Sequence, residues 1–142
     1  MTGFRYRLRV RYGECDAQKV VFNARYAEYV DLAVTEFFRA LGFGAELVSG
    51  ALDYQLVRQL IEWKAPARFD EVLDIAVRAG KIGTTSFTLL CEFRRAGEDR
   101  LLVTAETVYV LVDTHTLVKT PVSDALRRKM EAGVNQIVSH AG

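Results

Sequence analysis

Asp16 lies in the segment Glu14-Cys15-Asp16-Ala17-Gln18-Lys19-Val20-Val21-Phe22-Asn23-Ala24-Arg25-Tyr26, between a strand pattern and a long helix pattern. A carboxylate held there is close to a helix N-terminus, where unpaired backbone N–H groups and the helix dipole favour negative charge. A base or nucleophile beside ready-made oxyanion donors is the minimum equipment for acyl transfer. The same spacing suits an Asx-turn in which Asp16 only caps its own loop. Glu14 reads as a loop or salt-bridge residue. Cys15 reads as an incidental thiol, since no histidine is near it in sequence.

The elements that would position Asp16 can be read from periodicity. Phe4, Tyr6, Leu8, Val10 and Tyr12 alternate with Arg5, Arg7, Arg9 and Arg11, which predicts a strand with one apolar and one basic face, ended by Gly13. From Asn23 to Leu41 the period changes: Tyr26, Val30, Ala33, Phe37 and Leu41 recur at three- and four-residue steps. Asn23 is a predicted N-cap and Gly42 a predicted stop. The apolar arc also takes in Tyr29, Val34 and Phe38, which predicts a helix covered on more than one side. Four further strands are predicted over residues 54–65, 72–79, 85–94 and 101–112, the last two turns short enough for antiparallel neighbours. Ser123 caps a short helix, and the tail from about residue 135 is expected to fray.

This order predicts an α+β domain: one five-stranded antiparallel sheet wrapped around a long central helix, with a short C-terminal helix. The chain has 142 residues, which suits a single domain over residues 1–142. Lys plus Arg is 19 and Asp plus Glu is 18, so the net charge of +1 gives no general case for nucleic-acid binding. Cys15 and Cys91 are far apart, no CxxC pair occurs, and His115 and His140 are distant from both, so no metal site is expected. No apolar run approaches the roughly 20 residues of a membrane helix, and the N-terminal segment lacks a signal-peptide core. The expectation is a cytoplasmic protein with reduced thiols and no membrane partner.

Arg11-Tyr12-Gly13-Glu14-Cys15-Asp16, then Val20-Val21-Phe22-Asn23 and Tyr26, resembles the signature of the hot-dog fold acyl-CoA thioesterases of the 4-hydroxybenzoyl-CoA thioesterase-like family. Ile61-Glu62-Trp63-Lys64-Ala65-Pro66-Ala67, followed by Phe69-Asp70-Glu71 and Leu73, resembles its second shared stretch. The chain departs from the pattern at Gln18 and Lys19, where a glycine is usual at one of the two positions, and at Val34, where an arginine is common.

The resemblance implies hydrolysis of an acyl-CoA to free acid and CoA, with no cofactor besides the coenzyme A of the substrate. It implies Asp16 as the catalytic carboxylate and the Asn23 backbone N–H as the group polarising the thioester carbonyl. Asp16 would either attack directly or deprotonate a water. Phe22, Tyr26, Asp31, Trp63, Thr85 and Ser86 are the candidate substrate contacts. Arg78, Lys81, Arg94 and the basic face of the first strand are looser candidates for the CoA phosphates, the basic face being read first as a solvated one. Sites between subunits imply a homodimer or homotetramer. A non-catalytic acyl-binding module and a thioesterase acting on acyl carrier protein are the rival readings.

Overall fold

The computed structural model describes residues 3–142. Strand β1 (Phe4–Arg9) buries Phe4, Tyr6 and Leu8 on one face, as the alternation requires. The strand ends three residues short of the predicted Tyr12, and the chain then tightens into a 3₁₀ turn over Tyr12–Glu14. Helix α1 (Arg25–Phe38) follows a hairpin loop, passes through a π turn at Arg39–Phe43 and continues as the short helix α2 (Gly44–Ser49). Gly42 does break the helix, at φ 101°, but a second helical segment resumes beyond it.

Strands β2 (Tyr54–Trp63), β3 (Val72–Ile82), β4 (Ser86–Arg95) and β5 (Leu101–Leu111) form an antiparallel set close to the predicted spans. Helix α3 (Asp124–Ala132) starts at Ser123, whose hydroxyl accepts the Leu126 N–H at 3.1 Å. Among the described residues the sheet has six strands, in the order β2-β5-β4-β3-β1-β6.

The sixth strand corrects the expected five-stranded antiparallel sheet. Residues expected to fray form β6 (Gln136–His140), paired in parallel with β1. The outer edge of β1 offers unpaired backbone groups, and the tail takes them. His140 Nδ1 lies 3.0 Å from the Tyr6 hydroxyl, and the two rings meet edge-on at 5.1 Å. Gly3 N–H donates to the Asn135 side chain. Apart from half-buried Val138, β6 is exposed, so it carries no burial pattern to read in advance.

Helix α1 lies across one face of the sheet. Its aromatic side chains fix it edge-on: Phe37 on Phe4, Phe38 on Phe87 and Tyr26 on Phe93, each at 5.6 Å between ring centroids. The wide apolar arc is thereby spent on the core. The opposite face carries the arginines. Arg7 Nε and Arg5 Nη1 reach the buried carboxylate of Asp74 at 3.0 and 3.5 Å, and Arg9 bonds the Asp70 and Ala141 carbonyls. These partners engage the basic face within the chain.

Candidate active site

Asp16 sits at the turn of a small hairpin that runs straight into α1. Cys15 pairs with Val21 across it; the Asp16 N–H donates to the Val20 carbonyl at 2.9 Å, and the Phe22 N–H to the Glu14 carbonyl at 3.0 Å. The return arm is pinned from outside. The Val21 N–H donates to Ala67 O and the Phe69 N–H to Lys19 O, both at 2.9 Å. The Ala67 N–H in turn donates to the Tyr26 hydroxyl at 3.3 Å. The two stretches that carry the family resemblance therefore pack against each other.

The turn closes through Lys19, which takes φ 61°. That left-handed conformation is normally glycine's. Lys19 occupies one of the two positions where the family pattern usually has a glycine, and it takes that conformation as a lysine.

The Asp16 side chain is exposed, and its Oδ1 accepts the Gln18 N–H at 2.8 Å in an Asx-turn. The second carboxylate oxygen has no partner among the described residues. The helix begins later than predicted. Its N-cap is Ala24, not Asn23, and no side chain caps it. Arg25 N–H donates to Phe22 O and Tyr26 N–H to Asn23 O, but among the described residues no acceptor meets the Asn23 or Ala24 N–H. Such free donors at a helix start are anion- and oxyanion-binding groups.

Of the other candidates, the structure gathers some and leaves others apart. Phe22 is 54 % exposed beside Asn23, and Trp63 is 49 % exposed at the end of β2, its ring edge-on to Tyr26 at 6.4 Å. Tyr26 is buried and serves the core. Asp31 lies two turns along α1, where burial and the neighbouring Glu28 push its carboxyl above the ordinary range. Thr85 and Ser86 stand at the β3–β4 turn, by the Phe87–Phe38 contact at the far end of α1. A 14-residue helix is about 20 Å long, so within one chain these two do not meet Asp16.

Glu14 forms the salt bridge read for it from sequence, and a bond to α1 that spacing did not show. Its buried carboxylate accepts the Arg11 N–H at 2.8 Å, Arg11 Nε and Nη2 at 3.0 and 2.7 Å, and the Tyr29 hydroxyl at 2.9 Å. Burial pushes this carboxyl up, but the bonds from Arg11 and Tyr29 outweigh it and the net shift is down. The available signal was the Arg11–Glu14 spacing of three residues together with a tyrosine in an overfull apolar arc. Cys15 is half-buried, and burial, Glu14 and Asp16 all push its thiol up, away from nucleophilic thiolate.

A cavity of about 510 Å³ opens on the sheet face away from α1. Arg5, Arg78 and Arg94 line it together with Glu92, Glu98 and Asp99, a mixture of charges that favours no polyphosphate.

Among the described residues, a six-stranded sheet with one long helix laid across it is the hot-dog arrangement of the thioesterase-like proteins. A model of the thioesterase-like superfamily matches residues 10–130, and the chain belongs to that family. It is 33% identical over 113 residues to the acyl-CoA thioester hydrolase YbgC of Escherichia coli O6:H1, covering 79% of this chain and 84% of that protein. The structure of a gentisyl-coenzyme A thioesterase superposes with a TM-score of 0.79 at 25% identity, over 89% of this chain and 98% of that one. A 4-hydroxybenzoyl CoA thioesterase mutant complexed with 4-hydroxybenzoyl CoA shares the fold at a TM-score of 0.81 and 18% identity, over 92% of this chain and 100% of that one.

Proposed function

We propose that this protein hydrolyses the thioester bond of an acyl-CoA, with Asp16 as base or nucleophile and the Asn23 backbone N–H polarising the carbonyl. The observation that carries this reading is the pairing, through one short hairpin, of a carboxylate that keeps a free oxygen with a helix start that keeps free N–H groups. A thioester needs little acid help for departure of its thiolate, so a nucleophile and oxyanion stabilisation suffice. The named relatives act on CoA esters, which favours CoA over acyl carrier protein.

In this reading Phe22 and Trp63 flank the acyl group, Tyr26 backs it, and Asp31 faces any polar part of it. Thr85 and Ser86 would serve from a second copy. The support for a homodimer is the outer edge of β2, where Leu56, Val57, Leu60 and Trp63 are all exposed on the sheet's last strand. A row of apolar side chains on an unpaired strand edge is an association surface. Further pairing into a tetramer is the larger assembly of the same kind.

Thiol release from short, medium, long and aromatic acyl-CoAs, read with Ellman's reagent, tests the activity. Folded protein that releases no thiol above background from any of them would sink it. Light scattering on the eluting peak tests assembly: a monomeric mass at micromolar concentration would remove the dimer.

A further inference from the structure

The hairpin and α1 touch through one buried charge. Glu14 Oε1 accepts both the Arg11 N–H and the Tyr29 hydroxyl, while Oε2 takes the Arg11 guanidinium. The backbone carbonyl of the same residue holds the Phe22 N–H. Glu14 thus joins three segments: the incoming chain at Arg11, the return arm one residue before Asn23, and the second turn of the helix at Tyr29. Asp16 is two residues further along.

A carboxylate is an expensive choice for mere adhesion. Removing a charge from water costs several kcal/mol before its partners offset it, and apolar side chains of similar volume often hold a fold as well. What a carboxylate gives that an apolar group does not is direction, since each oxygen fixes where its donors lie. The donor on the helix side is itself immobile: Tyr29 is 1% exposed and its ring abuts Tyr26 edge-on at 5.9 Å. A shift of the hairpin relative to α1 has to break the Glu14–Tyr29 bond first.

We propose that Glu14, anchored by the Tyr29 hydroxyl, is a positioning residue that keeps the Asp16 carboxylate in register with the Asn23 N–H. The proposal rests on the thioesterase reading of Asp16. Neither residue touches the reacting atoms; both act through the hairpin. Burial and the bond to Glu14 push the Tyr29 hydroxyl up, so it stays a donor across the working pH range. In catalysis a misplacement of about 1 Å can cost around 100-fold in rate, so losing this link should show in turnover.

The test is a double-mutant cycle of Tyr29→Phe with Asp16→Asn. Phenylalanine keeps the packed ring and deletes only the hydroxyl. The expected result is a fall in kcat of about 10- to 100-fold with KM changed less than about twofold, on protein whose circular dichroism is unchanged. In the Asp16→Asn background, measured by single turnover with excess enzyme, Tyr29→Phe should cost less than about twofold, because the group it positions is gone. If Tyr29→Phe does not fold, Glu14→Gln goes through the same cycle with the same expectation. A normal kcat in the folded variant, or an undiminished loss in the Asp16→Asn background, overturns the positioning role. If Asp16→Asn itself turns over like wild type, the reading of Asp16 fails and the positioning role fails with it.

Discussion

Asp16→Asn isolates the charge of the candidate catalytic group from its structural bond. In the native hairpin Asp16 Oδ1 accepts the Gln18 N–H at 2.8 Å, and asparagine offers a carbonyl oxygen in the same place. The Asx-turn therefore survives. What changes is a charged acceptor for a neutral one on an exposed side chain, a loss of about 0.5 kcal/mol, which in a domain of this size is about 2 °C in Tm. Activity should respond on another scale. Removing a general base typically costs 10²–10⁴ in rate, roughly 3–5 kcal/mol of barrier, and a nucleophile costs more. The two effects differ by close to an order of magnitude in energy, so one variant separates them. The assay is kcat/KM on the best acyl-CoA of the panel, with Tm by differential scanning fluorimetry on the same preparation. A variant with kcat/KM within twofold of wild type would refute the role of Asp16. A variant that loses activity only in proportion to a large loss of folded protein would make Asp16 a turn residue and nothing more.

Asn23→Ala should keep near wild-type kcat, because the proposed donor is a backbone group. Asn23→Pro removes that N–H without breaking any backbone bond among the described residues, and should cost about 10²–10³ in kcat with the fold kept by circular dichroism. Lys19→Val should lower stability by about 1–2 kcal/mol in urea melts, since a β-branched residue is poorly accommodated at φ 61°, while Lys19→Gly should lose nothing; equal stabilities would show that the turn is not strained. Glu14, whose native carboxyl lies below its ordinary 4.5, stabilises the fold fully above that value and loses the contribution as pH falls through its lowered native pKa. The stability advantage of wild type over Glu14→Gln should therefore be constant near neutrality and shrink below about pH 4.5; a gap unchanged in acid would exclude the charged form as its source.

The fold was legible wherever burial imposes a period. β1, β3, β4 and β5 could be placed because one face of each is buried in the core, and α1 because its tyrosines and phenylalanines recur at helical steps. β6 was not legible, because an edge strand in contact with solvent on nearly every side chain has no hydrophobic period to display. Its signal lies in single contacts, His140 on Tyr6 and Asn135 on Gly3, that link residues more than 130 positions apart. The same reasoning explains the helix start. A capping asparagine is a local preference, whereas here the hairpin and the 66–70 segment dictate the path of the chain through Phe22 and leave Ala24 at the cap position.

The candidate site shows how far spacing alone can carry a chemical argument. Asp16 and the helix start could be proposed from order along the chain. The free state of the two N–H groups could not, because it depends on where the hairpin's backbone pairing ends, at Phe22. Lys19 sharpens the point. It stands at one of the two positions where a glycine is usual, and a loop rerouted there would carry Asp16 with it. The backbone instead takes the left-handed conformation at a lysine, at a cost of about 1–2 kcal/mol. The contacts that hold it there are the Asp16–Val20 pairing, the Phe69 N–H on the Lys19 carbonyl and the Glu14 clamp behind them. A turn kept against its own residue preference by surrounding bonds is a turn whose geometry matters to something outside it. It presents the Asp16 carboxylate to solvent with one oxygen unpaired among the described residues.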